Sequence, residues 1–224
     1  MAIILNLETA TTNCSVSIAK EGKLIAIKEY DSAEYSHAEQ LHIFIEDTLK
    51  EAKVSLAQLS AIAVSKGPGS YTGLRIGVSA AKGLCFALDI PLIAIATLES
   101  MAYQAKDDVV DVIIPVLDAR RMEVYSCVFD THLNLLRETK AEIIDEHSFT
   151  EFMHQGKVLL LGSGAEKCKE PLKNVTNIIY KSNVAPSAKD MVTLSYKKFK
   201  ENNFENVAYF EPYYLKDFML QKKD

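Results

Sequence analysis

The sequence predicts a mixed α/β protein, and three observations carry that expectation. The first thirty residues hold three short runs rich in Ile, Val and Leu with turn residues between them, the pattern of a β-meander. The hydrophobic period then lengthens to three and four residues, as it does on one face of a helix. A strand, a glycine-rich loop, a helix and a further strand follow in order, and the second half of the chain repeats the theme more loosely.

The meander is expected at Ile3–Glu8, residues 14–19 and residues 24–30, with turns at residues 9–13 and at Glu21-Gly22. In residues 36–53 the apolar side chains of Leu41, Phe44, Ile45, Leu49 and Ala52 fall on one face, and Ser36 with Glu39 three residues later forms a capping signature. Residues 60–66 are apolar without alternation, as in a strand buried on both faces. Residues 67–73 read as a loop, 74–88 as a helix and 92–97 as another buried strand.

In the second half, Val112–Asp118 and residues 122–130 pair around the charged turn Ala119-Arg120-Arg121, with further strands at 133–137 and Val158–Leu161. Residues 187–202 form an amphipathic helix with Pro186 just before it. The polar interval 105–111 divides the chain into a first lobe, residues 1–104, and a second, residues 105–224.

Composition narrows the function classes. The chain has 224 residues, 48% hydrophobic and 25% charged, with a net charge of −5, which is ordinary for a globular protein. An acidic balance argues against a broad phosphate-binding face on this chain alone. No uncharged apolar run approaches the ~18 residues that span a bilayer. The opening MAIILNLETA lacks a basic n-region and a cleavage site, so a cytoplasmic chain without a signal peptide is expected. Cys14, Cys85, Cys127 and Cys168 lie far apart with no C-x-x-C, as buried thiols would. His37 and His42 are five residues apart on one helix and point about 140° apart, so they are poor joint metal ligands.

Lys66-Gly67-Pro68-Gly69-Ser70-Tyr71-Thr72-Gly73 is the sharpest local feature. It lies between a strand and a helix, where N–H groups and the helix dipole can hold a phosphate, but it is neither G-x-x-x-x-G-K-[ST] nor G-x-G-x-x-G. Phosphate binding and tight structural packing both fit it. The following helix carries Gly73, Gly77, Ala80, Ala81, Gly83 and Ala87. Glycine within a helix costs about 1 kcal/mol relative to alanine, so this stripe anticipates a close neighbour, either within the chain or on a partner. Glu8 ends the first strand before a hydroxyl-rich turn, a place where phosphoryl-transfer folds hold a metal or a water. It can equally serve the turn itself.

Four stretches in one order, residues 8–17 (ETATTNCSVS), 66–77 (KGPGSYTGLRIG), 118–125 (DARRMEVY) and 211–217 (EPYYLKD), resemble the TsaB (YeaZ) family, accessory subunits of the bacterial machinery that makes threonylcarbamoyladenosine in tRNA. The resemblance runs over nearly the whole chain. It implies a two-lobed fold of the actin, sugar-kinase and Hsp70 type, with ribonuclease-H-like mixed sheets that each begin with a meander. It implies that residues 187–202 pack back on the first lobe. It further implies a non-catalytic subunit that binds and activates a larger TsaD-type paralogue, which transfers the threonylcarbamoyl group to the adenosine beside the anticodon.

The resemblance also implies that a TsaE-type ATPase joins the assembly, that tRNA is met only indirectly, that no membrane is involved, and that two copies of the chain can pair as a homodimer. Family contacts fall on the helices at 36–53 and 74–88, which puts His37, Gln40, Leu41, Phe44, Ile45, Arg75, Gly77, Val78, Ala81 and Lys82 at the partner surface. No resident cofactor or metal is expected; ATP or ADP at the complex interface would be met by Glu8, Thr9, Gly67, Gly69 and Ser70. Three departures stand out: Glu8 where Asp is common, Tyr71 where Phe is frequent, and Lys216 for a frequent Arg. The alternative, from another class, is an ATP-dependent small-molecule kinase of the same fold. A metalloprotease would need a histidine pair that has no counterpart here.

Overall fold

In the computed structural model, which describes residues 1–31 and 37–215, β1 (Ile3–Glu8), β2 (Asn13–Lys20) and β3 (Lys23–Asp31) form the antiparallel meander. The helix α1 (His37–Ala52) leads to β4 (Ala61–Gly67), which lies parallel to β1. The helix α2 (Tyr71–Leu88) then crosses to β5 (Leu92–Ala96). The first sheet therefore runs β3-β2-β1-β4-β5. After α3 (Thr97–Tyr103), the chain builds β6 (Val112–Asp118), β7 (Glu123–Asp130) and β8 (Leu135–Ile143). The short α4 (Thr150–Met153), β9 (Val158–Leu161), α5 (Ala165–Cys168), β10 (Ile178–Lys181) and α6 (Val192–Lys200) follow.

The second sheet runs β10-β9-β6-β7-β8. Its meander is again antiparallel and its last two strands again parallel. Two lobes with the same strand order are the duplicated, actin-like architecture expected from the resemblance.

Burial on both faces explains the apolar strands without alternation. Successive strand residues point to opposite sides. Leu5, Leu7, Val16, Ile18, Ile62 and Val64 pack under α1 and α2. Ile4, Ala61, Ala63, Ile93 and Ile95 pack on the other face against Ala188, Met191 and Leu194, so α6 lies on the first sheet. The helix α3, although it follows β5, packs on β6 through Leu98, Met101 and Ala102.

Several elements differ from the sequence reading. α2 begins at Tyr71, inside the segment read as loop, because Ser70 caps it: its Oγ accepts the Gly73 N–H at 3.3 Å. The strand expected at 133–137 is the nine-residue β8, which starts two residues later because Leu133 holds a left-handed turn (φ 61°). The helix expected over 187–202 is helical only from Val192 to Lys200, after a turn closed by Asp190 N–H on the Ser187 carbonyl. Four elements, α3, α4, α5 and β10, were not anticipated, all too short to show a period. The proposed cap at Ser36 lies outside the described residues. All four cysteines are free and buried, and burial pushes the Cys14 thiol up to about 11 and Cys85 up to about 12.

Candidate functional site

The glycine loop is fitted to its own chain. Thr9 and Ala10, in the turn after β1, sit against it. The Ser70 N–H donates to the Ala10 carbonyl at 2.6 Å, and the Thr9 hydroxyl donates to the Gly73 carbonyl at 2.8 Å. A Cβ added at Gly69 would run into the Ala10 carbonyl oxygen, one at Gly73 into the Thr9 carbonyl oxygen, and one at Gly77 into the Thr9 hydroxyl. At Gly67 (φ 108°) it would stand 2.9 Å from the Tyr213 carbonyl oxygen, and that backbone conformation favours glycine in any case.

The face these glycines open is thus filled by protein: of the residues expected to meet a nucleotide, Glu8, Thr9, Gly69 and Ser70 lie in or against this turn, and Gly67 stands against Tyr213. They do not fit a phosphate on that face. Gly83 alone has open space beside it. Within the small-residue stripe, Gly73 and Gly77 are therefore explained by the β1 turn and Ala81 by the core, while Gly83 and Ala87 are left at the surface.

Glu8 is fully buried at the end of β1, and its Oε1 accepts the Ala10 N–H at 2.6 Å. Burial pushes its carboxyl up to about 7, against the opposing pull of the Ala10 N–H, the Ser65 hydroxyl and the Thr9 N–H. His37, also buried, donates from Nε2 to the Thr11 carbonyl at 2.6 Å, and burial lowers its pKa. Both side chains hold the turn that seats the glycine loop.

Of the residues expected at the partner surface, His37, Leu41, Ile45, Gly77, Val78 and Ala81 are buried in this chain's own core. Their periodicity was a core signal, because the same apolar stripe that makes a helix amphipathic is the one that packs on its sheet. Gln40 and Phe44 are half-buried, and Phe44 packs against the core.

Arg75 and Lys82 reach the surface but are engaged by the chain's C-terminal segment. The Lys82 ammonium donates to the Phe210 carbonyl at 2.9 Å and the Ala208 carbonyl at 3.2 Å. The Arg75 guanidinium lies 4.6 Å above the Tyr71 ring, which packs on Tyr214 at 4.8 Å. The Tyr213 N–H donates to the Lys66 carbonyl at 2.7 Å. An open groove of about 230 Å³ remains between α2 and this segment, lined by Arg75, Ser79, Lys82 and Glu211 among others.

Sequence reasoning missed the residues that do stand out from these helices. Phe86 on α2 is 84% exposed, and Ile43 on α1 is 51% exposed. A signal was present for Ile43: the unbroken run Leu41-His42-Ile43-Phe44-Ile45 is wider than one helix face, so part of it must point to solvent. Between the lobes lies a cleft of about 360 Å³, lined by Thr11, Thr12, Asp31, Leu117, Ser163 and Asn183 among others. The Thr12 hydroxyl donates to Asp31 Oδ1 there, at 2.6 Å. Among the described residues, no three His, Cys, Asp or Glu side chains gather to hold a metal, and no helix is long and apolar enough to cross a membrane.

The family model described as "TsaD: tRNA N6-adenosine threonylcarbamoyltransferase" matches residues 31–222. The tRNA threonylcarbamoyladenosine biosynthesis protein TsaB of Escherichia coli (strain K12) is 30% identical over 227 residues, which cover 98% of this chain and 97% of that protein. The TsaB protein of Buchnera aphidicola subsp. Schizaphis graminum is 29% identical, over 93% of this chain and 98% of its own length. Among solved structures, YeaZ from Pseudomonas aeruginosa superposes with a TM-score of 0.85 at 26% identity, over 96% of this chain and 100% of that one.

Proposed function

The chain belongs to the TsaB (YeaZ) family, with a role in the biosynthesis of threonylcarbamoyladenosine in tRNA, and from that premise we propose that it is the non-catalytic subunit that binds and activates a TsaD-type transferase in the cytoplasm. The observation that carries this reading is the outer face of α1 and α2. Phe86 and Ile43 hold large apolar side chains in solvent on the two helices that cover the first sheet, and a facing protein surface would take them out of water. Burying a Phe or Ile side chain is favourable by roughly 1.5–3 kcal/mol. Aromatic side chains are also the type most enriched at the anchoring centre of interfaces. The open flank of Gly83 lies three residues before Phe86 on the same helix and permits close approach. A TsaE-type ATPase joins the same assembly, and a second copy of this chain competes for the same face when the transferase is absent.

The kinase alternative gains no support from the site. It needs an ionised acidic group facing the cleft at the end of β1, whereas Glu8 is buried and holds its proton up to about 7. Reconstituted modification of tRNA tests the two readings together. The large paralogue is expected to modify tRNA only when this chain is added, and this chain alone to turn over no nucleotide. A paralogue fully active without it, or ATP hydrolysis by this chain that disappears in Glu8→Gln, would overturn the proposal.

A further inference from the structure

The chain has four arginines, and two of them have internal work. Arg75 lies on the Tyr71 ring. Arg137 is paired with Glu142, bonded to the Ser126 hydroxyl at 2.7 Å, and stacked on Phe149. The other two, Arg120 and Arg121, are adjacent at the tip of the β6–β7 hairpin and exposed. Neither guanidinium has an ion pair, hydrogen bond or ring contact among the described residues. By contrast, Lys28, Lys50, Lys140, Lys167, Lys169, Lys173, Lys181 and Lys189 all sit beside carboxylates. In a chain of net charge −5, Arg120 and Arg121 are two exposed cations adjacent in sequence with no carboxylate against either guanidinium among the described residues.

The tip that carries them is closed by hydrogen bonds. Both arginines have left-handed backbone (φ 69° and 49°), a conformation Asn-Gly or Asp-Gly adopts at lower cost. It is held by Arg120 N–H on Asp118 Oδ1 at 2.6 Å and by Glu123 N–H on the Arg120 carbonyl at 3.1 Å. Beneath it the Lys167 ammonium donates to Asp118 Oδ1 and to the Arg121 carbonyl, both at 2.7 Å. Nearby carboxylates are already engaged, Asp118 by Lys167 and Glu166 by Lys169. The hairpin rises where Leu117 and Ser163 form one wall of the inter-lobe cleft, and the Ser163 hydroxyl receives the Asp118 N–H at 3.1 Å. A hydrogen-bonded backbone that presents two planar guanidiniums suits phosphate oxygens, which arginine engages through paired N–H groups.

We propose that Arg120 and Arg121 at the β6–β7 tip bind the phosphodiester backbone of RNA, so that this chain itself touches the tRNA. The proposal rests on the reading above that the chain works in a tRNA-modifying assembly, and it replaces the expectation that tRNA is met only through the partner. The contact carries position rather than sequence, because phosphates are alike along the strand.

The test is titration of tRNA into the complex of this chain with its large paralogue, at several salt concentrations. The wild-type chain is compared with Arg120→Gln/Arg121→Gln and Arg120→Lys/Arg121→Lys, and assembly of each complex is checked by light scattering. The glutamine pair is expected to assemble normally and to bind tRNA roughly tenfold more weakly. The slope of log affinity against log salt should also fall by about 2, one for each lost phosphate contact. The lysine pair should keep the slope and lose part of the affinity. Unchanged tRNA affinity in the glutamine pair would overturn the inference while leaving the proposed function intact. Loss of assembly in the glutamine pair would make the arginines a protein contact, and also overturn it. A wild-type complex that fails to form, or forms and ignores tRNA, would sink the functional reading and the inference with it.

Discussion

Glu8 ends β1 with its carboxyl among buried atoms, and its chemistry follows from that position. The folded protein holds the proton up to about 7 against an ordinary value of 4.5, so folding binds a proton across that window. A raised carboxyl pKa stabilises the fold fully below 4.5, and this contribution is lost as pH rises to 7. The shift corresponds to about 3 kcal/mol. Glu8→Gln keeps the oxygen that accepts the Ala10 N–H and removes the ionisation. Its stability relative to wild type, measured by urea unfolding, is therefore expected to improve from pH 5 to about pH 7 and then to level off. A difference that does not change with pH would contradict the buried-acid account. The sequence showed an acidic residue before a hydroxyl-rich turn but not its role, because burial is set by β4, α2 and residues near 190, all distant in the chain. The same limit applies to Leu41 and Val78. Their spacing on a helix is identical for a core face and a partner face, and only the sheet beneath shows which it is. Leu41→Ala is expected to cost about 2–5 kcal/mol in stability.

α2 shows how one stripe of small residues serves two purposes. Gly73 and Gly77 lie against Thr9, whereas Gly83 has nothing within 4 Å of its missing Cβ. Gly77→Ala should therefore destabilise by roughly 1–3 kcal/mol through overpacking. Gly83→Ala should stabilise by about 0.5–1 kcal/mol through helix propensity. Thermal unfolding of the two variants side by side checks the pair, and equal effects would contradict the packing described. Most of the first lobe's elements were legible because they repeat a period over many residues. The start of α2 was not, since a cap at Ser70 and helix-breaking glycines give opposite local signals and the Thr9–Ala10 contact decides between them. α3 and β10 were not legible for a simpler reason: seven and four residues are too few to establish a pattern.

The two halves of the molecule exchange helices. α3, from the first half of the chain, packs on β6, and α6, from the second, packs on the first sheet. The segment leading to α6 is bonded to side chains of β2: Asn13 Nδ2 donates to the Pro186 carbonyl at 3.0 Å, Ser17 Oγ to the Ala188 carbonyl at 2.9 Å, and the Ala188 N–H to Ser15 Oγ at 2.8 Å. The lobes are thus tied at both ends, which fixes the outer face of α1 and α2 relative to the β6–β7 tip across the cleft. The duplicated architecture and the family were legible in four sequence motifs, yet the exposed residues of the working face were not, because exposure depends on what each helix covers. Light scattering on a sizing column tests that face most directly, with this chain and its large paralogue mixed, wild type against Phe86→Asp/Ile43→Asp. The account predicts a one-to-one complex for wild type and separate components for the variant, whose thermal unfolding midpoint stays unchanged. A variant that folds normally and still forms the complex would contradict it.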